Sequence, residues 1–347
     1  GEGLGALMVG LESLYEELEK FRDRHPGFEP HKEASGFFFL FRDFLNTYDR
    51  MDDHYRVYTE LLEDGSFMVK LLCVNPAFQL KECLDKGIST IFFSATMLPI
   101  QYYKELLSGN QEEYAVYAGS PFEQKKRLLC VACDVSSRYT RRNRREFEKI
   151  LSYIESVVRE RTGNYLVFFP SYSYMEQVFA IAMEREESYE ILKQDAHMTE
   201  DMREEFLDHF ETDKEMAADT SLVGFCVTGG IFSEGIDLRE DRLIGVIVVG
   251  TGLPQVCTER EILKEYYDEE KRNGFDFAYR FPGMNKVLQA AGRLIRTMDD
   301  RGVIVLLDDR FLTREYVEQF PMEWDDYVPV RLSTVGEEVK HFWERDS

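Results

Sequence analysis

The sequence predicts an open, three-layer α/β domain with a mostly parallel sheet, preceded by a small helical region. Three observations carry this. From about residue 113 onward, short apolar runs alternate with helical patterns, as parallel strands joined by crossover helices require. Several of those runs are apolar throughout, as strands covered on both faces must be. Before residue 64, apolar residues recur instead at helical spacing.

Taken in order, residues 4–63 read as helical. Leu11, Leu14, Tyr15, Leu18 and Phe21 form one stripe, and Phe41, Phe44, Leu45 and Tyr48 form another. The HPGFEPHKEASG stretch between them carries Pro and Gly and reads as a loop. After Asp64-Gly65 the pattern changes to MVKLLCV and TIFFS (90–94), both expected as strands. A helix between them has Leu80, Cys83 and Leu84 on one face. Further strands are expected at YAVY (114–117), LLCVACDV (128–135), YLVFF (165–169), YEIL (189–192), LVGFCV (222–227), LIGVIVVG (243–250) and GVIVLL (302–307). Helices are expected at 141–161, 174–185, 199–212 and 285–297. The chain shows no internal repeat and no low-complexity segment.

Composition bounds the function. A chain of 347 residues with 44% hydrophobic content is long enough for two or three structural units. No apolar run reaches the roughly 18 residues needed to span a bilayer, so no membrane partner and a cytoplasmic location are expected. The first ten residues lack the basic start of a signal peptide, and the chain opens on Gly1 rather than Met, as expected of a piece of a longer protein. The net charge of −23 argues against a generic nucleic-acid binder. One stretch runs against it: Lys125–Arg145 holds eight basic residues and one acid, Asp134. It reads either as a solvated helix face or as a phosphate-binding stretch, because phosphate binding depends on the local field.

The six cysteines sit mostly in apolar runs, which suits buried thiols in a reducing compartment. Cys130 and Cys133 form a lone CxxC without the second pair that a zinc site needs. The six histidines show no HxH or HExxH spacing, so no metal site is expected.

Three separated segments carry chemistry. Ser94-Ala95-Thr96 follows TIFFS directly, at the rim where α/β domains bind ligands. GGIFSEGIDLRED (229–241) follows an apolar run, and its glycines permit a tight turn that presents N–H groups to an anion. Ser233, Glu234, Gly235 and Asp237 stand in it. The bland reading is an ordinary polar loop. Gln289-Ala290-Ala291-Gly292-Arg293-Leu294-Ile295-Arg296 reads as helix, with Gln289, Gly292, Arg293 and Arg296 on one face. Two guanidiniums one turn apart can grip the oxygens of one triphosphate, though for an isolated pair the ordinary reading, surface arginines forming ion pairs, would win.

In this order the three segments resemble motifs III, V and VI of superfamily 2 helicases, and the nearer likeness is to the DinG/XPD branch. GSPF (119–122), the FFPSY segment ending at Tyr172, VVGTGLP (248–254) and DDRF (308–311) resemble that branch too. The resemblance covers roughly residues 65–320 and implies a RecA-like fold. It divides the chain into 1–64, the end of an arch domain and its return; 65–98, the last strands of motor domain 1; and 99–347, motor domain 2. It departs from the family in lacking a GxxxxGK[ST] phosphate loop and a DEAH-type acid box. Most of the ATP and Mg²⁺ binding is therefore expected from motor domain 1 of the same polypeptide, which is also where a 4Fe–4S cluster would lie.

The resemblance implies roles for this half. Arg296 is the expected arginine finger, with Arg293 as its partner and Gln289 positioning the hydrolytic water or γ-phosphate. Glu234, Gly235, Asp237 and Gly292 are expected at the nucleotide. Ser171, Tyr172, Ser233, Arg141 and Arg142 are expected on single-stranded DNA, and Ser94 and Thr96 in coupling the domains. The implied activity is ATP-dependent movement 5′→3′ on single-stranded DNA, with this chain alone inactive. The alternatives are a DinG-type variant without a cluster, linked to nuclease activity, and a non-catalytic acidic α/β interaction module.

Overall fold

The computed structural model describes residues 4–25, 31–185, 188–211, 220–233 and 242–345, with backbone alone for 31–34 and 211. The chain divides into two units: 1–89 with 106–109, and 90–105 with 110–347. The boundary thus falls inside the stretch expected as 65–98.

In the first unit, α1 (Gly5–Arg24) and α2 (His31–Asp49) pack through Tyr15 and Phe38, whose rings stack at 4.7 Å. α2 starts at His31, so the second half of the expected loop is helical. The helical reading of 4–63 fails at its end, because β1 (Tyr55–Leu61) pairs antiparallel with β2 (Phe67–Cys73). Tyr, Val and Thr alternate along β1 as a strand favours. The turn is made by Asp64, whose carboxylate accepts from Ser66 N at 2.9 Å, and by Gly65 at φ +82°. α3 (Ala77–Leu84) follows, close to expectation.

The second unit is built on α4 (Ile100–Leu107, whose end lies in the first unit), β3 (Arg127–Ala132), α5 (Arg144–Val158), β4 (Asn164–Phe169), α6 (Tyr172–Met183), β5 (Tyr189–Lys193), α7 (Glu200–Glu211), β6 (Ser221–Val227), β7 (Gly245–Val249), α8 (Thr258–Glu269), α9 (Phe281–Ala291), β8 (Gly302–Leu307), α10 (Arg314–Val317), β9 (Val328–Val330) and α11 (Val335–Glu344). Seven strands form one parallel sheet in the order β5-β6-β4-β7-β8-β3-β9. Side chains alternate between its faces. Tyr165, Val167 and Phe169 pack with α5, α6 and α11, whereas Leu166 and Phe168 pack with α7, α9 and Tyr316 of α10. These are the three layers that the apolar runs predict. No described helix is long and apolar enough to cross a membrane.

Two expected strands do not form. TIFFS and YAVY are irregular, and Phe93 and Tyr114 are almost wholly exposed. An apolar run becomes a strand only where a neighbour completes its ladder, and neither run has one among the described residues. The helix expected at 285–297 spans Phe281–Ala291 instead and follows a π-helical turn at Asp276–Arg280. The basic stretch is also divided. Lys125, Lys126 and Arg127 stand at the N-terminal end of β3, where Arg127 pairs with Asp326 at 2.7 Å. Arg138, Arg141, Arg142, Arg144 and Arg145 lie past its C-terminal end. Six residues of extended chain, about 20 Å, separate the two groups.

Candidate functional site

Parallel strands bring all their C-terminal ends to one rim, where Ser171, Tyr172, Ser233, Arg141 and Arg142 gather, whereas the Gly292–Arg296 turn lies toward the opposite strand ends, with Leu294 against Gly302 at the start of β8 and Lys126 bonding Met298 O. Ser171 caps α6, its hydroxyl accepting from Tyr174 N at 3.2 Å. The Tyr172 hydroxyl accepts from Gln194 Nε2 at 2.8 Å, while Gln194 Oε1 accepts from Val227 N at 2.9 Å. The Thr228 hydroxyl donates to Phe169 O at 3.1 Å. One buried amide and one hydroxyl therefore stitch the ends of β4, β5 and β6 together. The following loop turns at Gly229, with φ +75°. Ser233 is fully buried there, and its hydroxyl donates to Gly230 O at 2.7 Å, so it holds the loop rather than facing solvent. Glu234, Gly235 and Asp237 lie outside the described residues.

α9 is the element on which the rim converges. It buries Gly283, Met284, Val287, Leu288 and Ala291 and leaves Asn285, Lys286 and Gln289 partly exposed. Its backbone lies hard against the loop after β7: a Cβ placed on Gly283 would stand 2.8 Å from Thr251 O, and one on Gly252 only 2.4 Å from Gly283 O. Glycine at both positions permits that approach. The Lys286 stem lies over Gly229, whose added Cβ would be 3.0 Å from Lys286 Cε. Asn285 reaches the segment after Ser94-Ala95-Thr96. Its carboxamide oxygen accepts from the Tyr103 hydroxyl at 2.7 Å, and its nitrogen donates to Thr96 O and Leu98 O, both at 3.1 Å. The reverse orientation would set an oxygen against two carbonyls, so the partners assign the amide. Ser94 itself is exposed and its hydroxyl accepts from Thr96 N at 3.3 Å.

The expectation of one helical face holds for Gln289 and Gly292 and fails beyond them. α9 ends at Ala291, with Gly292 as its C-cap, and the next amides bond three residues back: Arg293 N to Ala290 O and Leu294 N to Ala291 O. Asp300 then competes for the chain. This buried carboxylate accepts from Arg296 N at 2.5 Å, Thr297 N at 2.7 Å and the Thr297 hydroxyl at 2.8 Å. A side-chain acceptor for amides ends a helix for the same reason that it starts one at an N-cap. Arg293 and Arg296 therefore leave from a pinned loop, and the Nε of each is shielded from solvent.

A second network closes the rim between β3 and β8. Asp308 is fully buried and accepts from Ser137 N and Oγ, both at 2.8 Å, and from Arg310 Nε at 2.7 Å and Nη2 at 2.8 Å. Burial pushes its carboxyl up, but the bonds and charge of Arg310, with the two from Ser137, outweigh it and hold the carboxyl below its ordinary range. Beside it, Arg141 pairs with Glu146 at 3.1 Å and with Asp309 at 3.5 Å. Arg142 donates to Ser137 O at 3.3 Å and lies over the rings of Tyr139 and Tyr174, at 5.5 and 5.1 Å. Arg138 and Arg145 are exposed on the same side. Among the described residues no group of three or more His, Cys, Asp or Glu could hold a metal ion. Cys130 is buried, which raises its thiol to about 12 and leaves it inert.

Sequence reasoning passed over Asn285, Asp300 and Ser137. Asp300 carries a signal in retrospect, an acid between a would-be helix and an apolar strand. Asn285 and Ser137 carry none, because their partners come from far along the chain.

The family model for the helicase C-terminal domain matches residues 154–327. The ATP-dependent DNA helicase XPD of Sulfolobus acidocaldarius is 26% identical over 267 residues, 72% of this chain and 46% of the relative. The XPD helicase subunit of general transcription and DNA repair factor IIH from Arabidopsis thaliana is 26% identical over 274 residues, 73% of this chain and 35% of the relative. The chain thus spans less than half the length of these relatives. A solved XPD structure in its apo form covers 92% of this chain and 62% of its own at 20% identity, with a TM-score of 0.59. A second XPD helicase structure covers 91% and 56% at 20% identity, with a TM-score of 0.57. Both share the RecA-like α/β fold.

Proposed function

Because the chain belongs to the helicase C-terminal domain family, in the XPD-like branch of superfamily 2, we propose that it is the C-terminal motor half of an ATP-dependent DNA helicase that moves 5′→3′ on single-stranded DNA. The observation that carries this reading is α9, which holds the segment after Ser94-Ala95-Thr96 through Asn285, lies against the loop at Gly229 through Lys286, and at its C-terminal end runs into the Gly292–Arg296 turn. Three segments far apart in sequence, each resembling a motor motif, share one helix.

The roles follow from chemistry. Arg296, with Arg293, offers guanidinium charge at the point where charge develops on the γ-phosphate, and a finger of this kind contributes about 10³–10⁵ in rate. Fixing the Arg296 backbone through Asp300 limits the reorganisation needed to present it. Gln289 orients the attacking water. Gly292 borders the nucleotide, together with Glu234, Gly235 and Asp237. The phosphate-binding Lys, the acids for Mg²⁺ and any 4Fe–4S cluster belong to motor domain 1 of the same polypeptide. DNA lies along the rim, with its backbone near Ser171, Tyr172, Arg141 and Arg142. Ser233, whose hydroxyl is buried, contributes by shaping its loop.

The test is made on the polypeptide that joins this chain to its first motor domain. It should hydrolyse ATP faster with single-stranded DNA present and should open duplexes bearing a 5′ tail but not a 3′ tail. The chain alone should hydrolyse none. DNA-stimulated hydrolysis by the isolated chain, abolished by a change at Arg296, would overturn the half-motor assignment.

A further inference from the structure

Asn285 stands one turn before Gln289 on α9, so the two side chains lie on one face about 6 Å apart along the axis. All the bonding capacity it shows goes to one stretch of chain, at Thr96 O, Leu98 O and the Tyr103 hydroxyl. That stretch is also held by packing: Leu98 lies against the core beneath α9, and the Tyr102 ring meets Phe277 at 5.4 Å and Phe281 at 5.2 Å. The grip falls on main-chain carbonyls, so it follows backbone position whatever side chains Thr96 and Leu98 carry. A displacement of the 96–98 backbone must therefore break both amide hydrogen bonds or drag α9, and Gln289 with it.

We infer that Asn285 is a positioning residue that couples the Ser94-Ala95-Thr96 segment to the Gln289 end of α9, converting hydrolysis into strand separation. The inference rests on the proposed helicase reading and on that segment's role in it. A residue that only stabilised the fold would, when removed, lower hydrolysis, unwinding and melting temperature together. A coupling residue lowers the base pairs opened per ATP while hydrolysis continues.

The experiment compares wild type, Asn285→Ala, Asn285→Asp and Tyr103→Phe in the intact two-domain protein. It measures ATP hydrolysis with single-stranded DNA, unwinding of a tailed duplex and thermal melting on the same preparations. Asn285→Ala should keep hydrolysis within about three-fold while base pairs opened per ATP fall about ten-fold, equivalent to about 1.4 kcal/mol, the scale of losing two amide hydrogen bonds. Asn285→Asp, the same shape with an acceptor facing two acceptors, should be no better than alanine. Tyr103→Phe leaves the ring packed and removes only the hydroxyl that orients the amide, so a smaller loss in the same ratio is expected even where the Asn285 variants fold poorly. An unchanged ratio in folded Asn285→Ala, or in Tyr103→Phe where the Asn285 variants do not fold, overturns the inference and leaves the helicase reading intact. A wild type without DNA-stimulated hydrolysis sinks both.

Discussion

Replacing Asp308 by alanine should destabilise the α/β unit severely. The carboxylate is fully buried and accepts five hydrogen bonds, two from Ser137, two from the Arg310 side chain and one from Arg310 N. The Arg310 side chain is itself only 17% exposed, so Asp308→Ala leaves a largely buried charge without its counter-ion. Breaking one side of such a pair costs about 3–5 kcal/mol. At about 2–4 °C per kcal/mol for a domain of this size, the melting temperature should fall by roughly 6–20 °C. The double change Asp308→Asn with Arg310→Met removes both charges and should cost less than the sum of its parts. The pH dependence follows from the depressed carboxyl. Its contribution is present in full above the unfolded value of about 3.9 and is lost as pH falls through the lower folded value. The gap in melting temperature between wild type and Asp308→Asn should therefore be flat above about pH 5 and narrow below about pH 4. Calorimetry of the single and double variants from neutral to acid pH measures all of this. Strict additivity, or a gap that widens in acid, would refute the account.

Two further outcomes are expected of the intact two-domain protein. Arg296→Ala should reduce ATP turnover by about 10³-fold or more, roughly 4 kcal/mol of transition-state stabilisation, while single-strand affinity and melting temperature hold. Turnover above about a tenth of wild type would move the finger to Arg293. Arg141→Ala with Arg142→Ala should flatten the slope of log affinity against log salt by about 0.7 for each single-strand phosphate that these guanidiniums neutralise. Since Arg141 also bonds Glu146 and Asp309, melting must be followed alongside, and an unchanged slope with lowered stability would make the pair purely structural.

The runs buried on both sheet faces, such as YLVFF and GVIVLL, were legible in the sequence because central parallel strands leave no polar side to blur the signal. TIFFS and YAVY have the same composition, and composition does not reveal whether a neighbouring strand is present. β1 was missed because its alternation is short and adjoins helical stripes. Gln289 and Gly292 fell on the helix as expected, but Arg296 did not, because Asp300 captures the amides three and four residues before it and keeps the chain from continuing as helix. Ser233 had the chemistry of a phosphate ligand and proved to be buried, a fact of loop geometry that residue type does not encode.

The division of the basic stretch by β3 changes what its charges can do. The roughly 20 Å across the strand exceeds twice the ~8 Å over which charge is felt at physiological ionic strength. The arginines at the rim and the lysines below the sheet are thus separate electrostatic objects, each answering to its own acidic neighbours. A polyanion approaching the rim meets Arg138, Arg142 and Arg145 and is blind to Lys125 and Lys126. The net charge of −23 likewise sums regions that are mutually screened, and it says little about the potential that any one ligand encounters.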